Sequence, residues 1–398
     1  MSHPLYHQAN VKGPGVHALI IGVGGYPHLP GGDGERVDDP YRYGLTQLTS
    51  PPRSALRMAE MLKSHPYGSW ALPLRSIDLL MSYAPNTSLT EEIEDLRSNG
   101  KVRNPTIQII KTAFKEWMDR CVDDPDNIAL FYFCGHGLQD IDHVLLASDF
   151  GRSSLTPFDG AFSFELTQKA CQQRLPKTQI FIIDSCRRDA PDLANTLHSG
   201  INGLAVPTRG QAPQCTDLLT LQIPIFREAE SLPERVSYMT SAVVSALEGQ
   251  AATTDERGRW VVTLDTISAK IEHILKENML RIQEEEPGLE FPPDVVNREV
   301  MGHGAVLCRL EKAPYAQLVV SCEPQSATAE ADLACSRTPP PKEKALRRPA
   351  DGNGEWPLKL AGGDYKLSAT FHGGPWKKGE AQIFLEPPLR RLHIEVGR

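Results

Sequence analysis

Three stretches of the chain are apolar without polar alternation: His17-Ala-Leu-Ile-Ile-Gly-Val23, Asn127-Ile-Ala-Leu-Phe-Tyr-Phe133 and Gln179-Ile-Phe-Ile-Ile-Asp184. Each is short and rich in β-branched or aromatic residues, the pattern of a strand covered on both faces. Ser76-Ile-Asp-Leu-Leu-Met81 is a fourth candidate. Between them the period lengthens. Leu56, Ala59 and Leu62 form one helical stripe, and Ile107, Ile110, Ala113 and Trp117 form another between Pro105 and Arg120. A later helix from Thr263 to Leu275 opens on a residue suited to an N-cap and carries Leu264, Ile267, Ile271 and Ile274. Strands alternating with helices predict an α/β fold with a mostly parallel sheet.

From about Ala313 the helical period stops. Short alternating runs follow, Ala316 to Cys322, Tyr365 to Phe371 and Leu392 to Val396, punctuated by Gly and Pro and by a Pro-rich stretch around Pro339. They predict a small β-sandwich of about 85 residues, large enough for its own core. The expected division is residues 1–312 and 313–398.

Composition narrows the function classes. The chain has 398 residues, 40% hydrophobic and 23% charged, which is ordinary globular usage. Fifty acidic against 42 basic residues give a net charge of −8, so no global positive field exists to hold nucleic acid or an anionic membrane. Met1 to Gly15 lacks the basic and apolar segments of a secretory signal, and no apolar run has the length of a membrane span. The eight cysteines have no CxxC pair and no zinc-like spacing, which predicts reduced thiols and a cytoplasmic location.

In an open parallel sheet the crevice lies at the carboxyl ends of the strands. Two such ends carry chemistry. One reads Phe131-Tyr-Phe-Cys-Gly-His-Gly137 and the other Ile182-Ile-Asp-Ser-Cys186, followed by Arg187 and Arg188. A thiol attacks a carbonyl as thiolate, and an adjacent imidazole lowers its pKa and can reprotonate the leaving amine. Cys186 and His136 supply that pair. The amides of Gly137 and Cys186 could bind the developing oxyanion, since a glycine lets backbone approach substrate closely. Cys134, before the histidine, reads as a packing residue.

Gly-His-Gly after one apolar strand and Asp-Ser-Cys after the next resemble the catalytic dyad of the caspase and metacaspase superfamily. The separation of His136 from Cys186, about 50 residues, also matches caspases. Ala18 to Gly24 followed by Tyr26 is similar to the first strand of metacaspases, Leu48 to Leu62 to their first helix, and His143 to Asp149 to the strand after the histidine loop. Ser237 to Ala242, with Ser241, resembles the strand and loop beside the substrate channel. The resemblance covers roughly residues 15–310.

It implies a caspase-like fold and a prokaryotic-type cysteine endopeptidase acting on proteins, without a required metal. Asp184, two residues before the nucleophile, stands at the base of the first substrate pocket in this superfamily, which implies cutting after Arg or Lys. Where metacaspases carry a second pocket acid this chain has Ser54, a hydroxyl in place of a charge. Arg53 and Arg187 leave cutting after Asp open. About fifty residues separate Cys186 from the next predicted strand near Val236. The family holds processing sites there, which points to Arg209 and Arg227 and to a zymogen controlled by itself or by another protease, in stress or anti-phage defence. Some metacaspases need calcium, but Asp123, Asp124 and Asp126 read as a solvated turn without EF-hand spacing. Two other readings stay open: a silent caspase-fold binding module, and a separase- or CHAT-like peptidase with one dedicated substrate.

Overall fold

The computed structural model describes residues 4–8, 12–35, 43–85, 87, 91–139, 141–153, 155–189, 201–224, 235–285, 295–302, 304–339, 345–350 and 354–398. The fold is caspase-like α/β with a small β domain following it. The strands used below are β1 (Val16–Val23), β2 (Leu74–Ser82), β3 (Ile128–Gly135), β4 (Gly137–Gln139), β5 (His143–Leu146), β6 (Ala161–Ser163), β7 (Thr178–Ser185), β8 (Arg188–Asp189), β9 (Asp217–Gln222) and β10 (Asn297–Met301). The main sheet runs β2-β1-β3-β7-β9-β10, with Tyr6–His7 added antiparallel on the β2 edge. Neighbours are parallel from β2 to β9, and β10 turns antiparallel on β9.

The apolar runs are central strands for a simple reason: alternate side chains enter different cores. Ala18, Ile20, Tyr132 and Ile182 pack on one face with α1 (Ser50–Lys63). Leu19, Ile21, Phe131, Phe133 and Phe181 pack on the other, with α2 (Ile107–Cys121) and α3 (Phe164–Arg174). Trp117 of α2 is fully buried and donates its Nε1–H to the His17 carbonyl at 3.0 Å, so the helix is anchored to β1 by a bond as well as by area. Thr106 caps α2, its Oγ1 accepting from the Ile109 amide.

Two expectations are corrected. Ser237 to Ala242 is not a strand and loop but the start of α4 (Tyr238–Ser245). Ser237 takes extended backbone at the N-cap, and its Oγ accepts from the Thr240 amide at 3.1 Å, a local bond that starts a helix in a run that reads as apolar. The long connection after Cys186 is not all loop either. It contains β9, whose Leu218, Leu219 and Leu221 are buried and which pairs with β7 from Thr178↔Asp217 to Ile183↔Gln222. The last long helix of this unit, α5 (Leu264–Glu285), begins where expected, with Thr263 Oγ1 accepting from the Thr266 amide, but runs ten residues beyond Leu275.

Beyond residue 313 two sheets face one another. One joins β11 (Tyr315–Glu323) to Trp356–Ala361 and Leu389–Glu395, and the other joins Asp332–Arg337 to Leu346–Arg348 and Gly363–Thr370, which carries Gly379–Leu385. In β11, Ala316 and Leu318 are buried between more exposed neighbours, the alternation of a strand with one face on a core. This core is separate from those around the main sheet. Contact with the first unit runs through the stacked rings of Trp260 and Phe384, 5.8 Å apart, and a Thr253 Oγ1 bond to Glu386 of 2.7 Å.

Candidate active site

Strands β3 and β7 pair in register up to Cys134 with Asp184 and Gly135 with Ser185. His136 and Cys186 are the next residue on each, so parallel pairing alone delivers them side by side at the carboxyl edge of the sheet. His136 is 5% exposed, and Cys186 is the one cysteine of the eight that is not buried. The imidazole is held from two directions. Its backbone amide donates to the Tyr26 hydroxyl at 2.8 Å, and its Nε2 lies 2.6 Å from the carbonyl of Thr46, in the loop before α1. A carbonyl can only accept, so Nε2 carries the hydrogen and Nδ1 is the basic nitrogen of the neutral ring.

The Thr46 loop and Tyr26 are themselves joined. Gln47 accepts from the Tyr26 amide and donates to the Tyr26 carbonyl, both at 2.8 Å, and also donates to the carbonyl of Pro30 at 3.1 Å. Arg188 ties the other side, donating to the Tyr43 carbonyl at 2.5 Å. Burial drives the Tyr26 hydroxyl pKa well upward, which keeps it neutral and available to the His136 amide. Thr46, Gln47 and Tyr26 escape sequence reasoning in these roles: their partners lie 90, 21 and 110 residues away, and the loop around Thr46 has no periodic pattern.

Gly137 begins β4, which pairs antiparallel with β5. The Leu146 amide bonds the His136 carbonyl at 3.1 Å, making that a hydrogen-bonded pair, and the Gly137–Leu145 pair after it is of the non-bonded kind. The Gly137 N–H therefore faces away from β5. A Cβ at this position would stand 2.5 Å from the Cys186 carbonyl oxygen, 2.6 Å from His143 Nε2 and 2.8 Å from Ser185 Oγ. Gly137→Ala is accordingly expected to cost about 1–3 kcal/mol of stability through forced backbone movement, read as a lowered midpoint in thermal denaturation.

Asp184 is 1% exposed and sits in a shell of hydroxyls. Its Oδ2 accepts from Ser237 Oγ and, at 2.6 Å, from Thr240 Oγ1, which also meets the Tyr132 hydroxyl at 2.6 Å. Its Oδ1 is buried with no hydrogen-bond partner. Burial pushes the Asp184 pKa up, and the two hydroxyl bonds pull it partly back. Ser54 is fully buried in the same cluster, its Oγ accepting from the Ser237 amide at 3.0 Å. Ser241 is half-buried, one turn into α4, and its amide bonds the Ser237 carbonyl at 2.9 Å. The structure thus brings Asp184 and Ser54 together through Ser237 and Thr240, which the sequence reading did not single out individually.

Other candidates separate. Arg187 is 5% exposed and donates Nε–H to Gln139 Oε1 at 2.8 Å, a bond to β4. Arg53 is half-buried on α1. Cys134 is 3% exposed, and burial drives its thiol pKa well upward, so it stays protonated as a packing group. Arg209 is exposed at a turn, and Arg227 lies outside the described residues. In the acidic turn Asp124 Oδ1 accepts from the Asp126 amide at 2.9 Å and Asp126 meets Lys177 Nζ at 3.2 Å.

Comparison with known proteins identifies the family. The family model described as "Caspase domain" matches residues 16–286. A curated relative, the uncharacterized protein y4kE of Sinorhizobium fredii, is 27% identical over 207 residues, covering 51% of this chain. The chain spans 58% of that relative's length. Among solved structures, caspase-1 of Spodoptera frugiperda is 13% identical, covering 74% of this chain and 88% of that one, with a TM-score of 0.41. Protein GSU0716 of Geobacter sulfurreducens is 11% identical, covering 73% and 94%, with a TM-score of 0.39.

Proposed function

Since this chain belongs to the caspase domain family, we propose that it is a cysteine endopeptidase that cuts proteins after basic residues, Arg before Lys. Cys186 is the nucleophile and His136 its general base. The observation that carries this reading is the placement of both residues one step beyond paired strand ends, with the His136 Nε2–H committed to Thr46. That leaves Nδ1 to take the Cys186 thiol proton as sulfur bonds to the scissile carbonyl carbon. The amides of Gly137 and Cys186 hold the resulting oxyanion. His136 returns the proton to the leaving amine, and water, deprotonated by the same ring, then splits the thioester.

The preference for a basic residue rests on Asp184, whose Oδ1 is buried without a partner. Ser54 lines the same cluster in place of a second acid, and Ser241 is assigned to the substrate channel nearby. Cutting after Asp finds no support in Arg187, which is already bonded. Residues 1–312 are assigned to the peptidase domain and 313–398 to a β-sandwich for partner or substrate engagement. Eight free cysteines suit a reducing, cytoplasmic setting. No described helix is long and apolar enough to cross a membrane.

Control is assigned to proteolysis after Arg209 or Arg227, by the enzyme itself or by an upstream protease, which makes the chain a zymogen suited to a bacterial defence response. A cut after Arg209 precedes β9, which stays bonded to β7 and β10. Incubated protein is therefore expected to yield two fragments that co-elute under native conditions and separate in denaturant, with mass spectrometry placing the new C-terminus at an arginine. Cleavage-site profiling on a mixed peptide library gives the second test. Abundant cuts after Arg support the reading, a single dedicated sequence favours a separase-like enzyme, and no cuts at all by either the intact or the nicked protein overturn peptidase activity.

A further inference from the structure

His143 begins β5, yet its side chain reaches across to the nucleophile strand. Its Nε2 lies 2.9 Å from Ser185 Oγ and 3.1 Å from the Cys186 carbonyl oxygen. The opposite nitrogen, Nδ1, lies 3.3 Å from Gln222 Oε1 on β9. The His143 amide donates to Glu165 Oε2 at 2.7 Å, and its ring meets Phe164 edge-on at 6.5 Å between centroids. The side chain is fully buried and its position is set on all sides.

The chemistry of these partners fixes the proton. The Cys186 carbonyl can only accept, so the bond requires hydrogen on Nε2. Ser185 Oγ can accept from the same N–H, and a half-turn of the Gln222 amide offers its nitrogen to Nδ1. Burial, helped by the nearby Arg187 charge, lowers the His143 pKa to about 3, so the ring stays neutral at every ordinary pH. A neutral imidazole with one N–H has nothing left to give a substrate. What it does is restrain backbone.

We propose that His143 is a positioning residue for Cys186: by donating from Nε2 to the Cys186 carbonyl it locks the backbone at the end of β7 and holds the thiol opposite His136. The inference rests on the dyad reading of Cys186 and His136. The need for such a tether follows from the local structure. The described pairing of β7 with β3 ends at Ser185, and that with β9 ends at Ile183, so the backbone at Cys186 has left the ladder on both sides. The next pairing is Arg188 with Leu138. Between these anchors the His143 bond fastens the nucleophile, and Gly137 without a Cβ makes room for it.

The test uses alkylation of the full-length protein by iodoacetamide at pH 6, where a thiol held as thiolate by an imidazole reacts and an ordinary one is slow. Cys186 is the accessible target, partly exposed where the other seven cysteines are buried. Two variants differ by one methylene. His143→Gln places an amide N–H near the former Nε2, whereas the shorter His143→Asn reaches only the Nδ1 position. Asn is expected to slow alkylation at least about tenfold and move the pH profile upward, and Gln to stay within about threefold of wild type.

Equal rates for Asn and wild type overturn the proposal. So does a Gln variant as slow as the Asn variant, which would make the role one of ring packing. Should the Asn variant not fold, Ser185→Ala provides the check: with the carbonyl bond left intact its rate is expected to match wild type, and a tenfold loss would shift the tether to Ser185 and overturn the assignment to the carbonyl. A wild type that alkylates quickly at pH 6 but cuts no peptide overturns the peptidase reading alone. One that alkylates slowly overturns the dyad and this proposal together.

Discussion

Cys186→Ala is expected to lower kcat/KM for a fluorogenic arginyl peptide by at least about 10³-fold, because it removes the atom that forms the thioester. The same change should leave the thermal midpoint almost unmoved. The Cys186 side chain lies at the partly exposed end of β7 and, unlike the other seven cysteines, contributes no core volume. Activity measured with reductant on the intact and on the nicked protein, against the thermal midpoint, reads both halves. Retained activity in the Ala variant would remove Cys186 as nucleophile and reopen the binding-module reading. Loss of activity together with a collapse in stability would show that the thiol has a packing role its surroundings do not suggest.

For Asp184→Asn the expected loss on arginyl substrates is about 10²-fold in kcat/KM, carried mainly by KM, since removing one partner of a buried carboxylate–guanidinium pair costs about 2–5 kcal/mol. Stability should move the other way. Burial raises the Asp184 pKa above the ordinary carboxylate value, so folding favours the neutral acid. For an acid raised in this way the stability contribution is fully present below the unfolded pKa and is lost as pH rises through the folded one. Asn imitates the neutral acid and can still bond the Ser237 and Thr240 hydroxyls. The variant should therefore be at least as stable as wild type at pH 7 to 8, with the advantage vanishing at low pH. Arginine entering the pocket stabilises the carboxylate, so wild-type KM should rise as pH falls and the Asn variant should lack that limb. A variant that loses stability at pH 8 and keeps its preference for Arg would reduce Asp184 to a structural hydrogen-bond hub.

His143 and Asp184 illustrate a division of labour beneath the dyad. One restrains the backbone carrying the thiol, and the other waits behind it with an unsatisfied oxygen. Glu165 stands beside this floor, only partly buried: that burial raises its pKa to about 7, while bonds from its own amide and that of His143 oppose the rise.

By itself the sequence determined the central strands, the candidate pair of residues at their ends and the small β domain. Uninterrupted apolar runs of this length have few alternatives to central parallel strands, and a parallel sheet gathers its strand ends along one edge, so His136 and Cys186 could be expected on the same edge from sequence. The tertiary structure alone decided what surrounds them. Leu218 to Leu221 became a strand because an open edge of β7 was there to pair with, although the run is too short to declare itself. Ser237 began a helix because its hydroxyl could cap the Thr240 amide, a bond that apolar periodicity does not register. Thr46 was assigned to His136, and His143 to Cys186, by contacts between loops and strands distant in sequence. Such contacts follow from how the layers pack, and no local pattern encodes them. The order of the sheet was legible because hydrophobic period is a property of neighbours along the chain. The hydrogen bonds that hold the two site residues were not, because they are a property of neighbours in space.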